Sequence, residues 1–160
     1  MNEDTGQWIQ FPAEPWNEIM PDMWMGGMYF GPSMTACAPE DQFDVVVSMA
    51  GRGGIFTRVN SETVTRHNFF IDDGQLGPGE MALALEAAEL VSEYWAEDNR
   101  ILVRCNMGLN RSGLIVALAL VDHGNDAQKV IDRIREKRSP NALCNPWFVK
   151  YILDFPGFKQ

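Results

Sequence analysis

The chain has 160 residues, 46% of them apolar, and its 13 basic and 22 acidic side chains give a net charge of -9. That length suits one domain with a genuine core, and the acidic balance excludes general attraction to phosphate polymers and a basic membrane-surface patch. Cys37, Cys105 and Cys144 form no CxxC pair, so a disulfide framework is not expected; with the polar start Met1-Asn2-Glu3-Asp4 and no apolar run of bilayer length, the expected setting is the cytoplasm.

Residues 1–20 hold prolines, acids and two tryptophans without a period. They read as an irregular arm packing through Trp8, Phe11 and Trp16, ahead of a main domain over 21–160. Met23-Trp24-Met25 and Met28-Tyr29-Phe30 flank Gly26-Gly27, the pattern of two short strands around a tight turn with the methionines as core filler. Phe43 to Met49 is a β-branched run that predicts a buried strand, followed by the glycine-rich stretch Ala50 to Gly54. Asn68 to Ile71 predicts another short strand, ended by the turn signal Asp72-Asp73-Gly74.

Pro78 to Glu97 carries Leu83, Leu85, Ala88, Leu90, Val91 and Trp95 at helical spacing. Arg100 to Arg104 predicts a short buried strand. Ser112 to His123 predicts an apolar helix, Asp126 to Lys137 an amphipathic one, and Pro146 to Phe155 a last helix. Strands alternating with helices indicate an α/β layer fold. His67 and His123 lie in no metal-ligand spacing and read as surface or partly buried histidines.

The segment that carries chemistry is Cys105-Asn106-Met107-Gly108-Leu109-Asn110-Arg111-Ser112, between a predicted strand and a predicted helix. A loop of this length can turn its N–H groups toward one centre and cradle a tetrahedral anion, with the helix N-terminus aimed at the same point. The same field favours thiolate over thiol, so Cys105 can attack phosphorus without a separate base. Arg111 can grip two phosphate oxygens through its planar fork. Gly108 permits positive φ or close approach, and Ser112 can donate to the sulfur. The remaining loop positions, Asn106, Met107, Leu109 and Asn110, are expected to bind the phosphate with Gly108. In this composition chance gives the bare Cys–Arg spacing roughly 17 percent of the time; adding the glycine and the following serine or threonine lowers that to about 0.1 percent. Cys37 and Cys144 lack an arginine six positions on and read as ordinary buried thiols.

Cys105-x-x-Gly108-x-x-Arg111-Ser112 resembles the signature loop of the cysteine-dependent protein tyrosine phosphatases, and the compact dual-specificity branch fits best. Met23 to Gly27 resembles that branch's first strand; Arg138-Ser139-Pro140 and Asn145-Pro146-Trp147-Phe148 resemble its R-x-P and P-N-x-x-F tail. The resemblance implies a single α/β domain with a central mixed, mostly parallel sheet flanked by helices. It implies a phosphomonoester hydrolase working through a cysteinyl-phosphate on a phosphorylated protein or peptide, without metal or other cofactor, with nucleic acid an unlikely partner. It also implies a general acid about thirty residues before the cysteine. Asp73, 32 positions ahead of Cys105, fits first and Asp72 second. The family's histidine before the cysteine is Arg104 here. Arg104 can supply positive charge but no imidazole acceptor.

The loop has no lysine between Asn106 and Asn110, whereas the superfamily's phosphoinositide phosphatases tend to carry one. RNA 5′-phosphatases prefer a basic face. A catalytically dead phosphate-reading module is the alternative of a different class. Arg52, Arg58 and Arg138 read as solvated surface arginines, with a place along the cleft as their alternative.

Overall fold

The computed structural model describes residues 10–37, 42–50 and 64–158. In chain order these form strands β1 (Trp16–Met20), β2 (Met23–Gly27), β3 (Tyr29–Phe30), β4 (Thr35–Ala36), β5 (Val45–Ala50) and β6 (Thr65–Phe70), helix α1 (Pro78–Ala96), strand β7 (Ile101–Cys105), and helices α2 (Arg111–Asp122), α3 (Ala127–Lys137) and α4 (Pro146–Asp154). Five strands make the central sheet in the order β1-β2-β7-β5-β6. β2, β7, β5 and β6 run parallel, and β1 closes one edge antiparallel to β2. The expected α/β domain with a mixed, mostly parallel sheet is present.

β7 sits at the centre of this sheet because Ile101 to Cys105 are buried on both faces, as parallel strands under helices must be. Ile101, Val103 and Cys105 point into the larger core with Ala87, Val91 and the apolar residues of α2. Leu102 points to the opposite face, into a smaller cluster with Phe43, Val46 and Val64, flanked by Trp16 and Trp24. α2 is buried from Ser112 to Leu120. Each Leu, Ile or Val it buries contributes about 1.5–3 kcal/mol, so this helix is anchored firmly behind the loop that precedes it. None of the helices among the described residues is long and apolar enough to cross a membrane.

Two expectations for the N-terminal region need correction. Trp16–Met20, placed by the sequence in an irregular arm, is an edge strand, with Trp16 opposite Gly26 and Met20 opposite Met23. Gly26-Gly27 is not a turn between paired strands: both glycines belong to β2, and β3 pairs with β4 instead. Their physical task is close approach. A Cβ on Gly26 would meet the Pro15 carbonyl oxygen at 2.6 Å, and one on Gly27 would meet the Asn106 oxygen at 2.9 Å. Trp8, Arg52 and Arg58 lie outside the described residues.

Candidate active site

The loop from Cys105 to Arg111 leaves the C-terminal end of β7 and enters α2, the end of a parallel sheet where ligands bind in open α/β folds. Its carbonyls are all taken up by the surrounding scaffold. The Met28 N–H donates to the oxygens of Cys105 (2.8 Å) and Asn106 (3.0 Å), and the Leu143 N–H to that of Leu109 (3.0 Å). Arg138 donates through Nη2 to Met107 (3.0 Å) and through Nε to Gly108 (3.1 Å). Asn110 accepts from Leu114 inside the first turn of α2. Among the described residues, the N–H groups of Asn106 through Arg111 donate to none of them. A loop whose carbonyls all point outward presents its N–H groups inward, which is the requirement for an anion nest.

Gly108 makes this possible. Its φ is +73°, and a Cβ there would lie 2.4 Å from the Gly26 carbonyl carbon and 2.7 Å from Arg138 Nη2. Gly108→Ala is therefore expected to cost on the order of 3 kcal/mol. Thermal unfolding should show a Tm lowered by about 6–12 °C; an unchanged Tm would contradict the packing described.

Cys105 is 3% exposed, and its Sγ lies 3.3 Å from Ser112 Oγ. Arg111 is the first residue of α2. Its guanidinium is engaged by no hydrogen bond or ion pair among the described residues. A cavity of about 350 Å³ opens over the loop, lined by Cys105, Asn106, Met107, Leu109, Asn110, Arg111, Asp73 and Cys144. Of the two candidate acids, Asp73 reaches this cavity. Asp72 is not among the residues lining it, and its backbone N–H donates to Glu80 Oε2 at 2.7 Å. Asp73 accepts at Oδ2 from Asn110 Nδ2 (2.9 Å) and at Oδ1 from Asn145 Nδ2 (2.8 Å).

Arg138 corrects another expectation. It is 7% exposed rather than solvated, and besides the two loop carbonyls it binds the Glu14 oxygen (2.7 Å) and Asn17 Oδ1 (2.8 Å) through Nη1. Burial pushes its pKa down to about 10, while the nearby Cys105 and Cys37 thiols and Glu14 act the other way. At neutral pH it remains a cation on the outer side of the loop. Arg104, 1% exposed, lies in the interior, with Nε donating to Ser48 Oγ at 2.9 Å. Burial raises the Cys37 thiol pKa, and Arg104 and Arg138 partly offset this.

Cys144 also differs from expectation. It is exposed at the cavity, where Asn110 Nδ2 approaches its sulfur at 3.3 Å. The role of Asn145 was not legible beyond its place in the tail motif. It caps α4 through Oδ1 and reaches Asp73 and the Gly74 oxygen through Nδ2. Asparagine directly before Pro146 is the sequence signal for the cap alone.

No family model and no curated protein matches the sequence. Solved structures do match. Human DUSP28 aligns at a TM-score of 0.70 and 15% identity, over 92% of this chain and 96% of that one. The human tyrosine phosphatase-like serine/threonine/tyrosine-interacting protein aligns at 0.68 and 16%, over 88% and 94%. PTPMT1, solved in complex with PI(5)P, aligns at 0.67 and 17%, over 89% and 94%. The chain has the fold of the compact dual-specificity branch of cysteine-dependent phosphatases.

Proposed function

We propose that this protein is a phosphomonoester hydrolase, with a phosphorylated protein side chain, phosphotyrosine foremost, as substrate. The observation that carries this reading is the loop itself: carbonyls bound outward by Met28, Arg138 and Leu143, N–H groups left for an anion, Cys105 at the base and an unpaired Arg111 at the side.

In this reading the Cys105 thiolate attacks phosphorus and the P–O bond to the substrate oxygen breaks, leaving a cysteinyl-phosphate. The loop N–H groups and Arg111 hold the three equatorial oxygens as charge shifts among them. Asp73 gives its proton to the departing oxygen and then, as carboxylate, takes one from the water that hydrolyses the S–P bond. Ser112 donates to the sulfur as it leaves in that second step.

The test is hydrolysis of an aryl phosphate with inhibition by vanadate. Asp73→Asn is expected to lower kcat by about 10²-fold or more on a substrate with a poor leaving group, with KM changed far less. An undiminished kcat would remove Asp73 from the role. A phosphate-reading module is the second reading, and Arg104 favours it, since no imidazole stands behind the nucleophile. Vanadate or phosphopeptide binding without turnover would select that reading.

A further inference from the structure

Asn110 stands at the N-cap position of α2, where asparagine is among the best capping residues. Its side chain nevertheless makes no cap hydrogen bond. The amide is turned across the cavity instead: Nδ2 donates to Asp73 Oδ2 at 2.9 Å, and Oδ1 accepts the Asn145 N–H at 3.1 Å. Asn145 completes the grip by donating its own Nδ2 to Asp73 Oδ1 at 2.8 Å and to the Gly74 oxygen at 3.2 Å. Asn145 is itself fixed, because its Oδ1 caps the Trp147 and Phe148 N–H groups. Three segments far apart in sequence thus meet on one carboxylate. Leaving the α2 cap unmade also keeps the helix N-terminus clear for an anion.

We propose that Asn110 is a positioning residue, which together with Asn145 clamps the Asp73 carboxylate to the rim of the phosphate-binding loop. The clamp rests on the reading of Asp73 as proton donor given above. An amide N–H can only donate, and a carboxyl oxygen keeps acceptor capacity whether or not it carries the proton, so the two amides orient the Asp73 group in either form. In the acid form the O–H is thereby directed at the departing oxygen of the ester. Once the proton has moved to the leaving group, the carboxylate keeps both contacts. It is then held over the loop as the base for the second step.

Two esters test this: phenyl phosphate, whose leaving group has a pKa of about 10 like that of a tyrosine phenol, and a dinitrophenyl phosphate, which departs without a proton. Asn110→Ala is expected to lower kcat on phenyl phosphate by about 10- to 100-fold, with a fall at least ~10-fold smaller on the activated ester. Asn110→Ser, which is too short to bridge, should follow the same pattern. Asp73→Ala should show the same split, and the Asn110→Ala/Asp73→Ala double variant should lose no more than Asp73→Ala alone. Equal falls on both esters, or losses that multiply, would overturn the clamp. A second readout needs no turnover: hydrogen exchange at the Asp72 and Leu76 N–H groups, held by Glu80 and Tyr151, should quicken in Asn110→Ala. Unchanged exchange would overturn the clamp whatever the activity. Absence of vanadate-sensitive turnover in the unaltered protein would instead sink the phosphatase reading, and exchange alone would then decide the clamp.

Discussion

Cys105→Ser should abolish hydrolysis of an aryl phosphate, lowering kcat by about 10⁴-fold or more while the protein stays folded. Losses of this size follow when a nucleophile is removed from a group of residues acting as a unit. The substitution changes one atom at a site that is 3% exposed, so packing is nearly conserved and the Tm should move by no more than a few degrees. Serine cannot replace the thiol, because its hydroxyl is not ionised near neutrality and, among the described residues, the hydrogen-bond partner of Sγ is no base but another hydroxyl, that of Ser112, at 3.3 Å. The variant should still bind phosphate or vanadate, since the N–H groups and Arg111 are untouched. Substantial residual turnover in a correctly folded Cys105→Ser protein would refute covalent catalysis by this residue.

Arg111→Lys should lower kcat/KM by about 10²–10³-fold, the scale of losing one preorganised donor at a developing negative charge. The charge is kept, so what is lost is geometry: a guanidinium offers two parallel N–H groups to two oxygens, while an ammonium is a point charge. Arg111 has no competing partner among the described residues. Its removal therefore leaves no buried carboxylate stranded, and stability should change by less than about 0.5 kcal/mol, as for ordinary surface substitutions. Vanadate affinity should fall with kcat/KM, because the same fork serves ground and transition states. Retention of both would show that the arginine faces elsewhere in solution.

The elements that the sequence marked well are those whose pattern is local. Val45 to Ala50 and Ile101 to Cys105 are short β-branched or aliphatic runs, buried on both faces. α1 and α2 have long helical periods and begin and end close to their expected bounds. Trp16–Met20 was not recognisable as a strand, because between Pro15 and Pro21 it has no alternation of its own and is ordered by pairing with β2. Gly26-Gly27 marks a real backbone constraint, but one within β2 and not a turn. The pair is there for close approach of the Pro15 and Asn106 carbonyls, a constraint visible only once those segments are placed.

The grouping of Cys105, Gly108, Arg111 and Ser112 in one loop was legible in the sequence alone. Seven consecutive positions between a strand and a helix leave the chain few ways to close, and their spacing carries the geometry with them. Tertiary structure decided what surrounds it. It selected Asp73 over Asp72 at the cavity, took Arg138 from an expected surface position to the outer side of the loop, and exposed Cys144. Those partners lie about thirty or more positions from the loop residues they meet. Contacts at that separation depend on how the sheet and helices pack, and no local period or spacing encodes them.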